Sequence, residues 1–203
     1  LYCASGEILG LLGIYDGITE NDTVAAHHTI RASIESRDDA SSLALKVIND
    51  ELMKPGGAAT ERTVYCININ DFQRVLLARG DSDGEAAKRV LTARLEDVTA
   101  GIARIVPMGE DSFAAISDIA HDGDRTLTFA KQLQQCCALP IEVDAFGGLS
   151  LHASIGVVQY PQDGCDARDL LRNAQAALHQ TKSNARSYIE VYCSDIADEA
   201  ARD

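Results

Sequence analysis

At 203 residues, 46% hydrophobic and 24% charged, the chain has the size of one medium domain, or one domain with an appendage. Its 31 Asp and Glu against 18 Lys and Arg leave a formal net charge of -13, which excludes a general nucleic-acid or anionic-membrane surface, because both need clustered cations. A nucleotide stays allowed, since a few local cations or backbone amides can hold phosphates on an acidic protein.

In chain order, residues 6–15 (GEILGLLGIY) read as a strand closed by Asp16, Gly17 and Thr19. The longest apolar run, Ile8 to Tyr15, is broken by glycines and is far too short to cross a membrane. Residues 23–53 are mainly helical, with Asn21 or Asp22 as N-cap, a break over 33–38, and a stop at Lys54-Pro55-Gly56-Gly57. The β-branched run 63–69 predicts a buried strand. A short helix over 71–78, a turn over 80–84 and a helix over 85–98 follow, the last with Ala87, Val90, Leu91 and Leu95 on one face. Residues 102–106 and 113–119 form a hairpin around Met108-Gly109-Glu110-Asp111.

Beyond it, 126–137 is helix and 150–160 is strand, with 141–143 as its hairpin partner. Residues 166–182 form an amphipathic helix that buries Leu170, Leu171, Ala174, Ala177 and Leu178, and 188–192 is a last strand. This order implies an α+β fold: a single mixed, mainly antiparallel sheet flanked by helices. No cysteine pair among Cys3, Cys66, Cys136, Cys137, Cys165 and Cys193 has CxxC spacing. Reduced thiols in a cytoplasmic protein fit best. The chain begins at Leu1 rather than Met and carries no signal-peptide pattern, so it reads as part of a longer protein. Rival sites fail on spacing: an EF-hand around Asp81-Ser82-Asp83-Gly84 would put Arg79 and Val90 at ligand positions, and His27-His28 has no third ligand. His152, alternating on a strand, reads as a partly buried residue.

Four ordered segments resemble the GGDEF family of diguanylate cyclases. Asn68-Ile69-Asn70-Asp71-Phe72-Gln73 stands where the family has DxDxFK, and Gly80-Asp81-Ser82-Asp83-Gly84-Glu85 where it has GHxxGD. Gly109-Glu110-Asp111-Ser112-Phe113 occupies the turn that names the family. Ser154-Ile155-Gly156, then Ala174 through Lys182 to Arg186, resemble the SIG strand and the ADxALYxAK helix with its following Arg. Ile34-Glu35-Ser36-Arg37 is a weak counterpart of LPNR, so the resemblance covers residues 28–193. It implies a nucleotidyl-cyclase-like fold, with 21–61 as an N-terminal helical segment and 62–193 as the core. Residues 1–20 resemble the last strand and linker of a PAS or GAF sensor, or are an arm peculiar to this chain. Residues 194–203 resemble an exit linker toward an EAL phosphodiesterase-type domain.

In active members of the family, two GTP-loaded domains face each other and magnesium offsets the charge of the transition state. The resemblance assigns the metal acids to the DxD strand end and the third position of the turn. Here Asn68 and Asn70 stand for the two aspartates, Asp111 keeps the third acid, and Ser112 replaces the fourth. One carboxylate implies weak magnesium binding at most, at Asp111, since the ion favours charged oxygen ligands. Glu110 replaces the second glycine and adds a negative charge beside the triphosphate. Glu85 keeps the guanine-contacting acid, while Leu76 replaces the accompanying Asn and Gln73 the Lys of the FK pair.

Lys182 and Arg186 match phosphate-contacting cations or are a solvated helix end. The product-inhibition RxxD motif is replaced by Ala100-Gly101-Ile102-Ala103. The resemblance therefore implies no catalytic residues, only the vestigial positions Asn68, Asn70, Asp111 and Ser112. Gly109, Glu110, Glu85, Lys182 and Arg186 would contact a nucleotide, with magnesium and GTP as cofactors only if binding is retained. The expected role is a non-catalytic regulatory or dimerisation module in cyclic di-GMP signalling, for example in type IV pilus motility. Its partners would be neighbouring sensor and EAL domains or a second copy, with no nucleic acid and no membrane insertion. The alternatives are a GTP-binding allosteric module and a weak cyclase.

Overall fold

The computed structural model describes residues 42–54, 61–119, 123–142, 148–183 and 188–193. The expected strand at 6–15, the helical break at 33–38 and the terminal segment 194–203 lie outside these residues. Helix α1 covers residues 42–52 and buries Ala44, Ile48 and Leu52 at helical spacing. Strand β1 (Arg62–Ile69) is the β-branched run, buried along nearly its whole length. Two helices follow, α2 (Phe72–Arg79) and α3 (Asp81–Thr99), then the hairpin β2 (Ala103–Pro107) and β3 (Ser112–Ser117). Helix α4 (Gly123–Ala138) leads to the short strands β4 (Ile141–Glu142) and β5 (Gly148–Leu149). Strand β6 (Ala153–Tyr160), helix α5 (Ala167–Ser183) and strand β7 (Ile189–Val191) complete the order.

The five-stranded sheet runs β2-β3-β1-β6-β7, with antiparallel pairs except β6 and β7, which are parallel. The mixed α+β sheet expected from the sequence is therefore present. Because β1 alternates, its two faces bury different residues. Tyr65, Ile67 and Ile69 pack with Leu91 and Leu95 of α3 and Phe129 and Leu133 of α4. Val64 and Cys66 pack with Ile48 of α1 and Leu170 and Ala174 of α5. Arg62, itself buried, ties α1 to this sheet through Asp118 Oδ1 at 2.9 Å and the Lys54 carbonyl at 3.3 Å. No described helix is long and apolar enough to cross a membrane.

Three local expectations are corrected. The expected turn over 80–84 shrinks to Gly80, whose φ of 85° breaks the chain, and α3 starts at Asp81. Asp81 and Asp83 in its first turn favour a helix start, because negative charge complements the N-terminal dipole. Residues 141–142 pair with Gly148–Leu149 as a separate ribbon and not with β6. Both edges of β6 are already taken, by β1 and β7. His152 is exposed just ahead of β6, stacked at 6.4 Å on Tyr188, instead of alternating inside the strand.

Cys66 sits at 1% exposure in the core, and burial pushes its thiol up to about 12. Reactivity follows the thiolate. A thiol-specific disulfide reagent at neutral pH is thus expected to label the exposed Cys165 and Cys193 and to spare Cys66 until the fold is denatured. Peptide mapping of the labelled protein reads this out, and labelling of Cys66 in native buffer at the rate of Cys165 would contradict it.

Candidate functional site

The C-terminal end of β1 gathers the residues singled out from the sequence. Asn68 lies opposite Ser112 of β3 on one side and Ser154 of β6 on the other. These three side chains share the sheet face covered by α1 and α5, because strand residues two apart point the same way. Asn68 Nδ2 reaches Ser112 Oγ at 3.4 Å, and Ser112 Oγ donates to Asp111 Oδ1 at 2.7 Å. Asn70 is held from the β6 side: its Oδ1 accepts from Ser154 Oγ at 3.0 Å and its N–H donates to the His152 carbonyl at 2.8 Å. The Ile69 N–H donates to the Asp111 carbonyl at 2.7 Å, so the hairpin turn is strapped to the strand end by backbone as well.

The turn closes through the Met108 N–H and the Ser112 carbonyl at 2.9 Å. Glu110 stands there without a left-handed backbone, since among the described non-glycine residues only Asp71, with φ 56°, has positive φ. Gln73 Nε2 donates to Glu110 Oε2 at 2.9 Å, which directs the carboxylate toward α2. The charge expected to press on a triphosphate is thereby hydrogen-bonded to the neutral residue that replaces the lysine. A Cβ added at Gly109 would meet nothing within 4 Å.

Leu76 and Glu85, the pair placed at a guanine position, behave differently. Glu85 is exposed on α3. Leu76 lies across the α2–α3 crevice so closely that a Cβ built at Gly84 would fall on its Cδ2. An apolar plug thus occupies the place between these helices. Lys182 belongs to α5, whereas Arg186 lies outside the described residues.

The residues present do not fit a divalent ion. Asn68, Asn70 and Ser112 are neutral, Asp111 is the single carboxylate among them, and its Oδ1 is already bonded to Ser112. Among the described residues no three His, Cys, Asp or Glu side chains are grouped to hold a metal. The Gln73–Glu110 and Ser154–Asn70 bonds and the Leu76 plug were not visible in the sequence. Period-two alternation on β6 could have placed Ser154 beside Asn68, but the other two contacts depend on rotamers.

Residues 43–188 match the family model described as diguanylate cyclase, GGDEF domain. The chain is 26% identical over 140 residues to the cyclic di-GMP phosphodiesterase NbdA of Pseudomonas aeruginosa, covering 69% of this chain and 18% of that protein. It is 25% identical over 174 residues to the signaling protein YkoW of Bacillus subtilis, covering 85% and 21%. The chain thus spans about a fifth of the length of these curated relatives. Among solved structures, the GGDEF domain of TpbB (YfiN) from P. aeruginosa superimposes with a TM-score of 0.63 at 18% identity, over 83% of this chain and 93% of that one. An EAL/GGDEF domain protein from M. capsulatus gives 0.62 at 20% identity, over 71% and 92%. These likenesses carry the fold alone.

Proposed function

Because the chain belongs to the GGDEF family of cyclic di-GMP signalling, we propose that it is a catalytically inactive member, acting as a regulatory or dimerisation module beside other domains of its protein. The observation that carries this reading is the relay Asn68–Ser112–Asp111 at the strand end, in which an amide and a hydroxyl leave Asp111 as the single carboxylate. Phosphoryl transfer between two nucleotides needs metal-held positive charge against the developing negative charge. A relay of amide, hydroxyl and one engaged carboxylate supplies none. The Leu76 side chain packed on Gly84 supports the same reading, since a base entering between α2 and α3 would have to displace an apolar contact and would find no amide there.

The name of NbdA, a phosphodiesterase, supports an attached EAL-type domain as the element under control. The P. aeruginosa cyclase SiaD forms a complex with its activator SiaC, which supports protein partners as the input to such modules. A GTP-binding allosteric role is the second reading. It is favoured by open space at Gly109 and by a Glu110 carboxylate turned toward Gln73.

Calorimetric titration with magnesium and GTP, followed by an assay for cyclic di-GMP, tests both. The expected outcome is no product and no saturable heat, corresponding to a Kd weaker than about 1 mM. Heat without product would select the allosteric reading, and product would sink the first claim. The Asn68→Asp, Asn70→Asp, Ser112→Glu variant is expected to gain magnesium-dependent affinity for GTP if the acids alone were lost. It is expected to gain none if the Leu76 plug also blocks the base.

A further inference from the structure

The sheet face carrying Cys66 and Asn68 holds a groove of about 530 Å3 between α1 and α5. One wall is apolar, with Leu45 from α1 and Leu171 and Leu178 from α5, and Arg168, Arg172 and His179 of α5 line the same opening. The walls are tied at one end, where Asn49 Oδ1 of α1 accepts the Ala167 N–H at 2.8 Å. From Arg168 to His179 the helix rises about 1.5 Å per residue, giving an opening about 16 Å long.

The charge distribution is unusual for this chain. Acids outnumber bases by 31 to 18, yet among the described residues no acidic side chain lines the groove. Arg172 has a counter-ion in Asp169 at 3.0 Å, but that carboxylate lies one turn back on α5 and outside the lining. An apolar trough with positive charge along one rim and an excluded negative field is complementary to an amphipathic anion.

We propose that this groove binds a small amphipathic organic anion, its acidic group against Arg168 and Arg172 and its apolar body over Leu45, Leu171 and Leu178. The volume falls within the range of small-molecule sites. A partner helix would call for a longer continuous apolar strip, and two arginines on so acidic a protein do not make a nucleic-acid track. The groove reaches the vestigial turn only at Asn68 and Ser112, so the inference does not depend on the nucleotide reading.

The probe is 1-anilinonaphthalene-8-sulfonate, with N-phenyl-1-naphthylamine as its uncharged analogue. Fluorescence titration is expected to saturate at one sulfonate probe per chain, with the uncharged analogue about tenfold weaker or more. The Arg168→Glu/Arg172→Glu variant should weaken the sulfonate by at least about tenfold and leave the uncharged analogue unchanged. The Arg168→Gln/Arg172→Gln variant should fall between, with unchanged circular dichroism in both. Absence of saturation, or binding indifferent to both arginine variants, would overturn the proposal. So would competitive displacement by magnesium and GTP, which would assign the groove to the nucleotide. Probe binding that falls as protein concentration rises would assign it to a second copy of the chain and overturn it likewise.

Discussion

Replacing Phe113 by alanine is expected to lower the unfolding free energy by about 3–5 kcal/mol, the range for deleting a fully buried phenyl group. Phe113 is the last letter of the turn motif, and it has no exposed surface. It lies opposite Ile67 on β1 and Pro107 on β2, within the cluster built on α3 and α4. Truncation leaves a cavity that the surrounding strands cannot collapse to fill, because they are held in register on both sides. Against a typical total of about 5–15 kcal/mol, such a loss should move the urea midpoint far down, with an unchanged slope. A loss below about 1 kcal/mol would mean that the ring is not the anchor its burial implies.

Gly156→Ala should cost about 1–3 kcal/mol, toward the upper end of the range for overpacking. A Cβ at this position on β6 would fall on the Ala174 carbonyl oxygen of α5 and lie 3.1 Å from Leu178 Cγ. A backbone carbonyl inside a helix cannot turn away as a side-chain tip can, so α5 would have to lift from the sheet. Gly109→Ala is the matched control: nothing stands within 4 Å of its added Cβ and its φ is not positive, so its midpoint should hardly move. If both substitutions were equally mild, the close approach of α5 to β6 would not be a constraint on the fold.

These two residues show how the motif letters divide. Phe113 and Gly156 serve the scaffold, one by filling volume and the other by leaving it out. Asn68, Asn70 and Ser112 stand where the ladder between β1, β3 and β6 ends, and that ladder is in place around them. Amide for carboxylate keeps shape and hydrogen-bonding reach while removing charge. The division is consistent with the proposal that the family fold is kept here around a site without a catalytic metal.

The same division governs what could be read from the sequence. The buried strand at 63–69 and the buried side of α5 follow from side-chain period, which is local, and the structure places Leu170, Ala174 and Ala177 at no exposure. The uncharged side chains of Asn68, Asn70 and Ser112 were legible because residue type alone decides a charge. The start of α3 was misread because Asp81-Ser82-Asp83-Gly84 has turn composition, yet acids also suit a first helical turn. The pairing of β4 with β5 left no mark, since strands of two residues have no period. The Gln73–Glu110 bond joins positions far apart in the chain through two flexible side chains, and no pattern along the chain encodes that.

The place of β1 at the centre of the sheet also bears on how the chain acquires its structure. Its longest ladder, from Arg62 with Tyr160 to Ile69 with Ala153, joins segments about 90 positions apart, so its closure carries the entropy of a long loop. Contacts of this kind slow folding relative to local helix and hairpin formation. On a ribosome this central strand emerges ahead of both its neighbours and waits for the second of them until most of the domain has been made. Until then its β6-side edge is open to pairing with other chains. A polypeptide released before β6 would keep the β2–β3 hairpin and its half of the site, yet it would present that unsatisfied edge to every other nascent copy.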